Sequence, residues 1–238
     1  MKIRGIAHRG YPVKYPENTL TSFQAALDLN YSHVELDVHL SKDGVPVVLH
    51  DYSVKRMTGQ KGMVYDYTLD ELKMFQVGEF ERIPTLEETL KLLKGDITIV
   101  VELKQAGDLY QDLEKKVLEI MRRTNTFEQC MVISFDHFSI ARMRRLDSDV
   151  RLGITSSNSM PYDFPFMKEI DGELLGVPLH LMTTNYATMI EEHGIEVGPW
   201  PVNTETEMKL IIDKYPSTLI TTDNLERWIK FYKASSTS

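Results

Sequence analysis

Cysteine is almost absent from this chain of 238 residues, which contains only Cys130. A single cysteine cannot form a disulfide within the chain, so this is not a small secreted domain held together by disulfides. Cys130 begins an apolar segment, CMVISF, and no neighbour in sequence would lower the pKa of its thiol. We therefore predict that Cys130 packs in the core and is not a catalytic nucleophile.

Long apolar runs and an excess of positive charge are also missing. No segment approaches the ~18 apolar residues of a membrane span, and the opening MKIRGIAHRG lacks the apolar region of a signal peptide. The formal net charge is −8, which argues against nucleic acids and anionic membranes as partners. The expectation is a cytoplasmic protein without stable membrane insertion, and the oligomeric state is left open. An anionic substrate would need a local cluster of positive charge.

The stretch VELDVHLSKDGVPVVLHD, residues 34–51, predicts a β-hairpin. An Asp-Gly pair between alternating apolar residues is a strong hairpin signal, so residues 43–44 are predicted to form a two-residue turn. That turn places Asp37 opposite His50, and directly opposed residues share one face of the sheet. Because side chains alternate along a strand, Glu35 lies on the same face. A local rule thus predicts that two carboxylates and a histidine converge.

Strand-like and helix-like segments alternate along the chain, and residues 46–51 are the antiparallel return arm of the hairpin. The eight other predicted strands are residues 3–8, 34–40, 97–103, 131–135, 151–154, 175–178, 196–200 and 218–222. Eight strand–helix units in 238 residues are typical of an α/β protein with a (β/α)8 TIM barrel. A doubly wound open sheet is the alternative, although no Gly-x-Gly-x-x-Gly follows the first strand.

Residues 52–84 fit no strand–helix unit and are predicted to be a small insertion after the second strand, with a turn in TGQKG and a short helix in LDELKMF. Insertions at this end of a barrel commonly shape the active-site mouth. Thr85, with Glu88 three residues later, predicts the capped start of the next helix. No interdomain linker is found, so residues 1–238 are predicted to form one barrel domain.

Charged residues cluster where the predicted strands end, which is where barrel enzymes place their chemistry. The first strand ends in AHRG, the third ends in VELK, and the seventh ends in WPVN. Together with the hairpin, these ends supply His8, Arg9, Glu35, Asp37, His50, Glu102, Lys104, Trp200 and Asn203. Three carboxylates, two histidines, an arginine and a lysine are predicted to meet at one mouth.

Each residue type in this group suits a particular task. Three carboxylates repel one another unless a cation lies among them, and oxygen ligands alone suit Mg²⁺ or Ca²⁺ better than Zn²⁺. Histidine titrates near neutral pH, so two histidines suit a general acid and a general base. Arginine offers a planar fork for phosphate. Together these groups favour chemistry at a phosphoryl centre, where charge develops in the transition state.

The motifs AHRG, PENT (residues 16–19), ELDVHLSKDGVPVVLHD, RIPTLEETL and VELK, in this order, resemble the glycerophosphodiester phosphodiesterases. The resemblance extends over residues 7–223 and is strongest in the first 104. It implies a metal-dependent barrel that cleaves small-molecule glycerophosphodiesters to sn-glycerol 3-phosphate and an alcohol. Matched position by position, it implies the following roles: His8 and His50 as the acid–base pair, Glu35, Asp37 and Glu102 as ligands of a divalent cation, Arg9 holding phosphate, and Glu17 and Lys104 supporting the site. Arg9, Lys104 and Trp200 are predicted to contact the substrate.

Several residues have simpler interpretations. Trp200 could equally be a core residue and Lys104 a surface lysine, and Asn18 is predicted mainly to cap the helix beginning NTLTSF. The remaining histidines are predicted to be exposed or locally hydrogen-bonded: His33, His39, His137, His180 and His193.

Two other functions remain as alternatives. A catalytically silent binding barrel should lack a histidine or a ligand carboxylate, and none is missing here. A related phosphodiesterase acting on lysophospholipids would carry an exposed apolar rim on residues 52–84. The alcohol, the physiological metal, and the choice between a cyclic intermediate and direct attack by water are left open.

Overall fold

The structure is a computed structural model, and it describes residues 2–95 and 97–235. The strands are β1 (Ile3–Ala7), β2 (Tyr31–Leu40), β3 (Pro46–Val48), β4 (Gln76–Val77), β5 (Glu81–Arg82), β6 (Thr98–Leu103), β7 (Cys130–Ile133), β8 (Arg151–Thr155), β9 (Gly172–Pro178), β10 (Glu196–Trp200) and β11 (Thr221–Thr222). The α-helices are α1 (Leu20–Asp28), α2 (Lys55–Thr58), α3 (Leu69–Met74), α4 (Leu86–Leu93), α5 (Leu113–Arg123), α6 (His137–Leu146), α7 (Asp163–Glu169), α8 (Thr184–Glu192), α9 (Glu205–Lys214) and α10 (Leu225–Ser235). Across the described stretches, every helix is too short or too polar to cross a bilayer.

Eight parallel strands lie side by side in the order β10, β9, β8, β7, β6, β2, β1 and β11. The two edges of this sheet approach each other. The amide of Leu219 donates to the carbonyl of Val197 at 2.8 Å, and the amide of Val202 donates to the carbonyl of Thr221 at 2.9 Å. The sheet is therefore a nearly closed barrel, which confirms the predicted (β/α)8 fold and excludes the open doubly wound sheet.

The predicted strand boundaries differ most at three places. Strands β2 and β9 each begin three residues before the predicted start, and β11 begins three residues after it. The early starts contain Ser32 and His33 in β2, and Gly172 and Glu173 in β9. These residues are polar or lack a side chain, so the apolar pattern used for the prediction does not include them.

The barrel has two apolar layers with different neighbours. Along β2, Val34, Leu36 and Val38 belong to the large core that the strands share with the helices. A smaller apolar cluster consists of Ile6, Val100, Met131, Ile133, Leu174 and Leu219. Because side chains alternate along a strand, Glu35 and Asp37 face away from the helix layer, towards the barrel interior. Cys130 is fully buried and burial raises its pKa to about 12, in agreement with a packing role.

The hairpin of β2 and β3 forms, but the predicted register is wrong by one residue. Leu40 pairs with Pro46 and not with Val47. The amide of Ser41 donates to the carbonyl of Val45 at 3.0 Å, so the loop contains three residues instead of two. Three-residue hairpin loops with a left-handed residue at the end are the next most common type.

Gly44 is the residue that allows the longer loop, because its φ of 76° lies in the left-handed region. The shifted register places Leu49, and not His50, next to Asp37: the amide of Leu49 donates to the Asp37 carbonyl at 3.1 Å. Strand β3 ends at Val48. His50 therefore reaches the site after a bend in the chain, outside the hydrogen-bonded ladder that was predicted to carry it.

The chain between β3 and α4 contains α2, a 3₁₀ turn at Val64–Asp66, α3, which confirms the predicted short helix, and the small hairpin of β4 and β5. It has an apolar cluster of its own, formed by Val47, Leu49, Val54, Val64, Leu72, Val77 and Ile83. The predicted capping box of α4 is also present. The amide of Glu88 donates to the Thr85 hydroxyl at 3.1 Å, and the Glu88 carboxylate accepts from the Thr85 amide at 2.7 Å.

Gly10 follows His8 and Arg9 in the turn after β1, and its substitution provides a test of the stability of that turn. Its φ is +85°, and a Cβ atom there would lie 2.6 Å and 2.7 Å from the backbone C and O of Ser22. Gly59 has a similar φ of +73° with nothing within 4 Å. We expect Gly59→Ala to cost ~1–2 kcal/mol for the left-handed backbone, and Gly10→Ala to cost ~1–3 kcal/mol more for the clash. Urea denaturation of both variants measures the difference, and equal losses would contradict the close approach.

Candidate active site

Three strand ends bring the predicted site residues together. His8 and Arg9 follow β1, Glu35 and Asp37 lie on β2, and Glu102 lies on β6. Strands β2 and β6 are paired in parallel, with Asp37 directly beside Glu102. This pairing of neighbouring barrel strands brings Glu102 to the two carboxylates of β2, as expected for three carboxylates that meet at one mouth.

The carboxylates of Glu35, Asp37 and Glu102 form one buried cluster, in which an oxygen atom from each lies within 4.8 Å of the other two. Lys104 bridges two of them, since its Nζ atom is 2.6 Å from Glu102 Oε1 and 3.3 Å from Asp37 Oδ1. Lys104 is only 9% exposed, so the surface interpretation of this residue was wrong. Arg9 approaches from the other side, with Nε 3.4 Å from Asp37 Oδ2.

The three carboxylates are not equivalent in charge. Burial, and next the charge of Asp37, raises the pKa of Glu35 well above its ordinary value, and the same two causes raise the pKa of Glu102. Burial also acts on Asp37, but Lys104 and Arg9 outweigh it and lower its pKa to about 2. Lys104 and Arg9 therefore keep Asp37 ionised, whereas for Glu35 and Glu102 they offset only part of the effects of burial and repulsion.

The cluster has the features of a site for a hard divalent cation. All three side chains offer oxygen, the donor that Mg²⁺ and Ca²⁺ prefer. Glu35 Oε2 accepts from the Arg9 amide at 3.0 Å, whereas Glu35 Oε1 is buried without a hydrogen-bond partner in the described part of the chain. A buried carboxylate oxygen without a partner is costly, and a cation would remove that cost. The residues therefore fit the cation that the resemblance implies.

Each predicted catalytic histidine is held by a carboxylate at Nδ1. His8 Nδ1 lies 2.7 Å from Asp223 Oδ1, and His50 Nδ1 lies 2.7 Å from Asp51 Oδ1. Asp223 is itself fixed by the side-chain amide of Asn203, which donates to its Oδ2 at 2.6 Å. A carboxylate at Nδ1 fixes the orientation and tautomer of the ring, so Nε2 is the nitrogen available to a substrate. Burial lowers the pKa of His50, which favours its neutral form.

His39, which was predicted to be exposed or locally hydrogen-bonded, is not exposed and supports His50 from the backbone side. The His39 side chain is fully buried. Its Nε2 lies 3.1 Å from the carbonyl oxygen of His50, and its Nδ1 lies 2.7 Å from the hydroxyl of Tyr110. The side chain is hydrogen-bonded as the second alternative expects, but its partners are not local in sequence, since they lie 11 and 71 residues away. Tyr110 was not predicted as a partner.

Arg9 and Asn18 each make a hydrogen bond to a carboxylate of the site. Arg9 Nη1 donates to Glu17 Oε1 at 3.0 Å, so Glu17 orients the guanidinium as predicted for a supporting residue. Asn18 does not cap α1, because the capping side chain is that of Thr19. The Asn18 side-chain amide instead donates to Asp37 Oδ2 at 2.8 Å, which steadies one of the clustered carboxylates.

These groups line a cavity of about 350 Å³ with an ionic side and an apolar side. The ionic side carries His8, Arg9, Glu35, His50 and Glu102, and the apolar side includes Ile6, Val100, Ile133, Phe135, Leu174 and Trp200. Trp200 packs edge-on against Phe135, with ring centroids 5.7 Å apart. A larger cavity of about 530 Å³ lies between α5, α6 and the loop after β6, but none of the predicted site residues lines it.

Trp200 therefore packs and also lines the cavity, so the two interpretations of this residue are not exclusive. Its Nε1 is buried without a hydrogen-bond partner in the described residues, as is the Thr155 hydroxyl on the same cavity wall. Thr155 was not predicted. Its only sequence signal is a polar residue at the end of an apolar strand, RLGIT.

The comparisons with known proteins agree on one family. The family model described as glycerophosphoryl diester phosphodiesterase matches residues 8–227. A glycerophosphodiester phosphodiesterase of Caldanaerobacter subterraneus is 30% identical over 231 residues, which cover 94% of this chain and 95% of that protein. Both sequences are thus matched over nearly their whole length.

Solved structures show the same architecture. A glycerophosphodiester phosphodiesterase from Parabacteroides distasonis is similar with a TM-score of 0.86 and 25% identity, covering 99% of this chain and 100% of that one. A phosphodiesterase from Oleispira antarctica, solved with its product sn-glycerol-3-phosphate, has a TM-score of 0.89 and 24% identity, covering 99% and 97%. The family match over residues 8–227, the full-length relative and the barrel together show that this chain belongs to the glycerophosphoryl diester phosphodiesterase family.

Proposed function

We propose that the protein hydrolyses small glycerophosphodiesters to sn-glycerol 3-phosphate and an alcohol, and that it requires a divalent cation, Mg²⁺ or Ca²⁺. The observation that carries this proposal is the composition of one cavity: a carboxylate cluster, two carboxylate-backed histidines and an arginine face the same space. The name of the Caldanaerobacter relative and the product bound to the Oleispira neighbour support the same reaction. Such an enzyme would act in glycerol and lipid metabolism.

The proposed mechanism assigns the ionic side of the cavity to the phosphate. Arg9 and Lys104 bind and orient the phosphodiester, and their positive charge offsets the net acidity of the chain near the site. Glu35, Asp37 and Glu102 would hold the cation, which supplies Lewis-acid stabilisation of the charge that develops on phosphate oxygens. Trp200 lies on the apolar wall and contacts the carbon skeleton of the substrate.

The two histidines are assigned to proton transfer. One accepts a proton from the attacking hydroxyl through Nε2, and the other donates a proton to the leaving alcohol oxygen. Asp51 and Asp223 hold the rings so that Nε2 points away from its carboxylate partner. The attacking hydroxyl is either that of a water molecule, which gives sn-glycerol 3-phosphate directly, or the 2-hydroxyl of the glycerol. In the second case the alcohol leaves from a cyclic phosphate, which a water molecule then opens to sn-glycerol 3-phosphate with the two histidines in exchanged roles.

We further propose that residues 1–238 act as one barrel domain in the cytoplasm and that residues 52–84 form the mouth of the site. Arg56 supports the second point, because it contacts Glu17 and Asp51 directly.

The segment of residues 52–84 also exposes apolar side chains at its surface: Tyr52, Met63, Tyr65, Met74 and Phe80. This exposure favours lysophospholipids as a second class of substrate, which the assay below includes.

The proposed function predicts turnover of glycerophosphocholine and glycerophosphoethanolamine at comparable rates. The reason is that the charged groups converge on the phosphate, whereas the rest of the cavity wall is mostly apolar. Enzymatic detection of sn-glycerol 3-phosphate, with lysophosphatidylcholine as a third substrate, measures both candidate functions. Glu35→Gln, purified in the same way, controls for contaminating activity. Release of no glycerol 3-phosphate from any diester in the presence of Mg²⁺, Ca²⁺ or Mn²⁺ would refute the proposal.

A further inference from the structure

Arg56, on the four-residue helix α2, lies outside the motifs above but at the centre of a charged network. Its Nη1 and Nη2 donate to the two oxygens of Glu17 at 2.9 Å and 2.7 Å. Its Nε and Nη2 donate to the two oxygens of Asp51 at 2.6 Å and 2.9 Å. One guanidinium thus binds two carboxylates, each through both oxygens. Residues 17 and 51 are supplied by different loops of the barrel mouth.

Both carboxylates that Arg56 holds are in contact with a group of the proposed mechanism. Asp51 binds His50 Nδ1 at 2.7 Å, and Glu17 binds Arg9 Nη1 at 3.0 Å. The side chains form a continuous chain from the proposed acid–base residue to the proposed phosphate-binding residue. Arg56 lies in the middle of this chain and does not line the cavity.

We propose that Arg56 is a positioning residue that fixes His50 and Arg9 relative to each other through Asp51 and Glu17. This inference rests on the proposed function, because it concerns the alignment of a proton-transfer group with the bound phosphate. A displacement of about 1 Å in such an alignment can cost ~10²-fold in rate even when the substitution lies away from the reacting atoms.

The geometry distinguishes this network from an ordinary surface ion pair. An isolated exposed pair contributes little, because solvent screens it and long side chains lose freedom. Here the Arg56 side chain is 46% exposed, but its partners Glu17 and Asp51 are 15% and 29% exposed. Hydrogen bonds from Arg56 lower the pKa of Asp51, and Arg56 together with Arg9 lowers the pKa of Glu17 against the effect of burial.

Only arginine can make this arrangement, because its planar fork binds two carboxylates at fixed angles, whereas lysine is a single point of charge. Arg56→Lys should therefore keep the charge and lose the alignment. Arg82 provides a matched control: it lies in the same inserted segment, is exposed, and donates to the carbonyl of Glu81. Arg82→Met removes the same charge and the same fork away from the network.

The test compares the steady-state kinetics of Arg56→Met, Arg56→Lys and Arg82→Met on glycerophosphocholine. We expect Arg56→Met to lower kcat by ~10–100-fold and to raise KM by several-fold, as is common when a supporting hydrogen-bond partner is lost. Arg56→Lys should be intermediate, and Arg82→Met should match the unmodified enzyme. Thermal unfolding of each variant shows whether the fold is kept. If Arg56→Met does not fold, the kinetics of Arg56→Lys are compared with those of Arg82→Met instead.

Two double-mutant cycles separate positioning from a purely structural role. In an Asp51→Asn background, Arg56→Met should have less than ~2-fold further effect on kcat. In a Glu17→Gln background it should have less than ~2-fold further effect on KM. Additive losses in both backgrounds, or Arg56→Met kinetics equal to those of Arg82→Met, would overturn the proposal.

A readout without turnover keeps this inference separate from the proposed function. In ¹⁵N-histidine-labelled protein, the hydrogen-bonded proton on His50 Nδ1 should be observable by NMR. The signal of this proton should broaden or disappear in Arg56→Met, because Asp51 then loses the two hydrogen bonds that Arg56 donates to it. The signal should persist in Arg82→Met, in which those hydrogen bonds remain. If no diester is turned over, the proposed function fails while this measurement still decides the role of Arg56. An unchanged His50 signal in Arg56→Met would reject that role.

Discussion

Replacing His8 or His50 by alanine is expected to lower kcat for glycerophosphodiester cleavage by ~10²–10⁴-fold, the usual range for the loss of a general acid or base. Both rings line the same cavity, and both turn Nδ1 towards a carboxylate. Neither variant removes an oxygen from the carboxylate cluster. Calorimetry should therefore show that each variant still binds the divalent cation while turnover falls.

The carboxylates behind the rings should matter less than the rings themselves. Asp223→Asn and Asp51→Asn keep Nε2 in place but weaken the control of tautomer and orientation, so we expect losses smaller than those of the histidine variants. His180→Ala is a suitable control, because His180 is exposed on the 3₁₀ turn Leu179–Leu181. Activity of His8→Ala or His50→Ala within threefold of the His180→Ala control would exclude that residue from proton transfer.

Simple rules of strand geometry were sufficient to predict the positions of the site residues that lie on β2 and β6. Alternation along β2 places Glu35 and Asp37 on one face, and the order of barrel strands places Glu102 beside them. These arguments need only a period of two and the rule that consecutive parallel strands are usually neighbours. The observed pairing of Asp37 with Glu102 shows why they worked.

The same rules failed where a loop or a distant partner decides the geometry. The Asp-Gly signal located the hairpin but not its loop length. The pairing of Ser41 with Val45 and the left-handed Gly44 define a three-residue loop, residues 42–44, which the dipeptide alone does not distinguish from a two-residue one. His50 therefore reaches the site for a reason other than the one predicted. The burial of His39 depends on Tyr110, whose contact with it arises only when β2 and the loop after β6 are brought together.

The hydrogen-bond partners of the proposed catalytic groups were the least predictable part of the site. Asp223 lies 215 residues from His8, and Arg56 lies 39 residues from Glu17. Parallel pairing of β1 with β11 creates the first contact, and the packing of α2 against the loop after β1 creates the second. Residue types alone indicated a phosphoryl site, but the side chains that hold it in place required the three-dimensional structure.

Removal of the divalent cation is expected to abolish turnover, and readdition of Mg²⁺ or Ca²⁺ is expected to restore it. Lewis-acid stabilisation of a phosphoryl transition state is worth several kcal/mol, which corresponds to a loss of ~10³-fold or more. Excess EDTA followed by a titration of each metal measures the effect. Undiminished activity in excess chelator, with metal content verified as absent, would refute the metal site.

Among the three proposed ligands, Glu35 is the one whose loss should weaken cation binding most, because its Oε1 is buried without a partner in the described residues. We expect Glu35→Gln to weaken Mg²⁺ binding in calorimetry by at least ~10-fold and to leave the fold intact. Asp163 provides a matched control: it also has a buried carboxylate oxygen without a partner, and burial raises its pKa too, but it lies outside the cluster. Asp163→Asn should bind Mg²⁺ as the unmodified protein does.

The pH dependence of stability gives a second test of the same site. Without a cation, burial and then Asp37 raise the pKa of Glu35 above its ordinary 4.5, so the folded state retains a proton that the unfolded state has lost. The chelated protein should therefore lose stability as the pH rises from 4.5 through the raised pKa of Glu35. Cation binding requires the ionised carboxylate, so the increase in Tm caused by Mg²⁺ should grow over the same pH range. In Glu35→Gln both the loss and the growing increase should become smaller, because only Glu102 then has a raised pKa in the cluster. An unchanged pH profile in that variant would show that Glu35 does not ligate the cation.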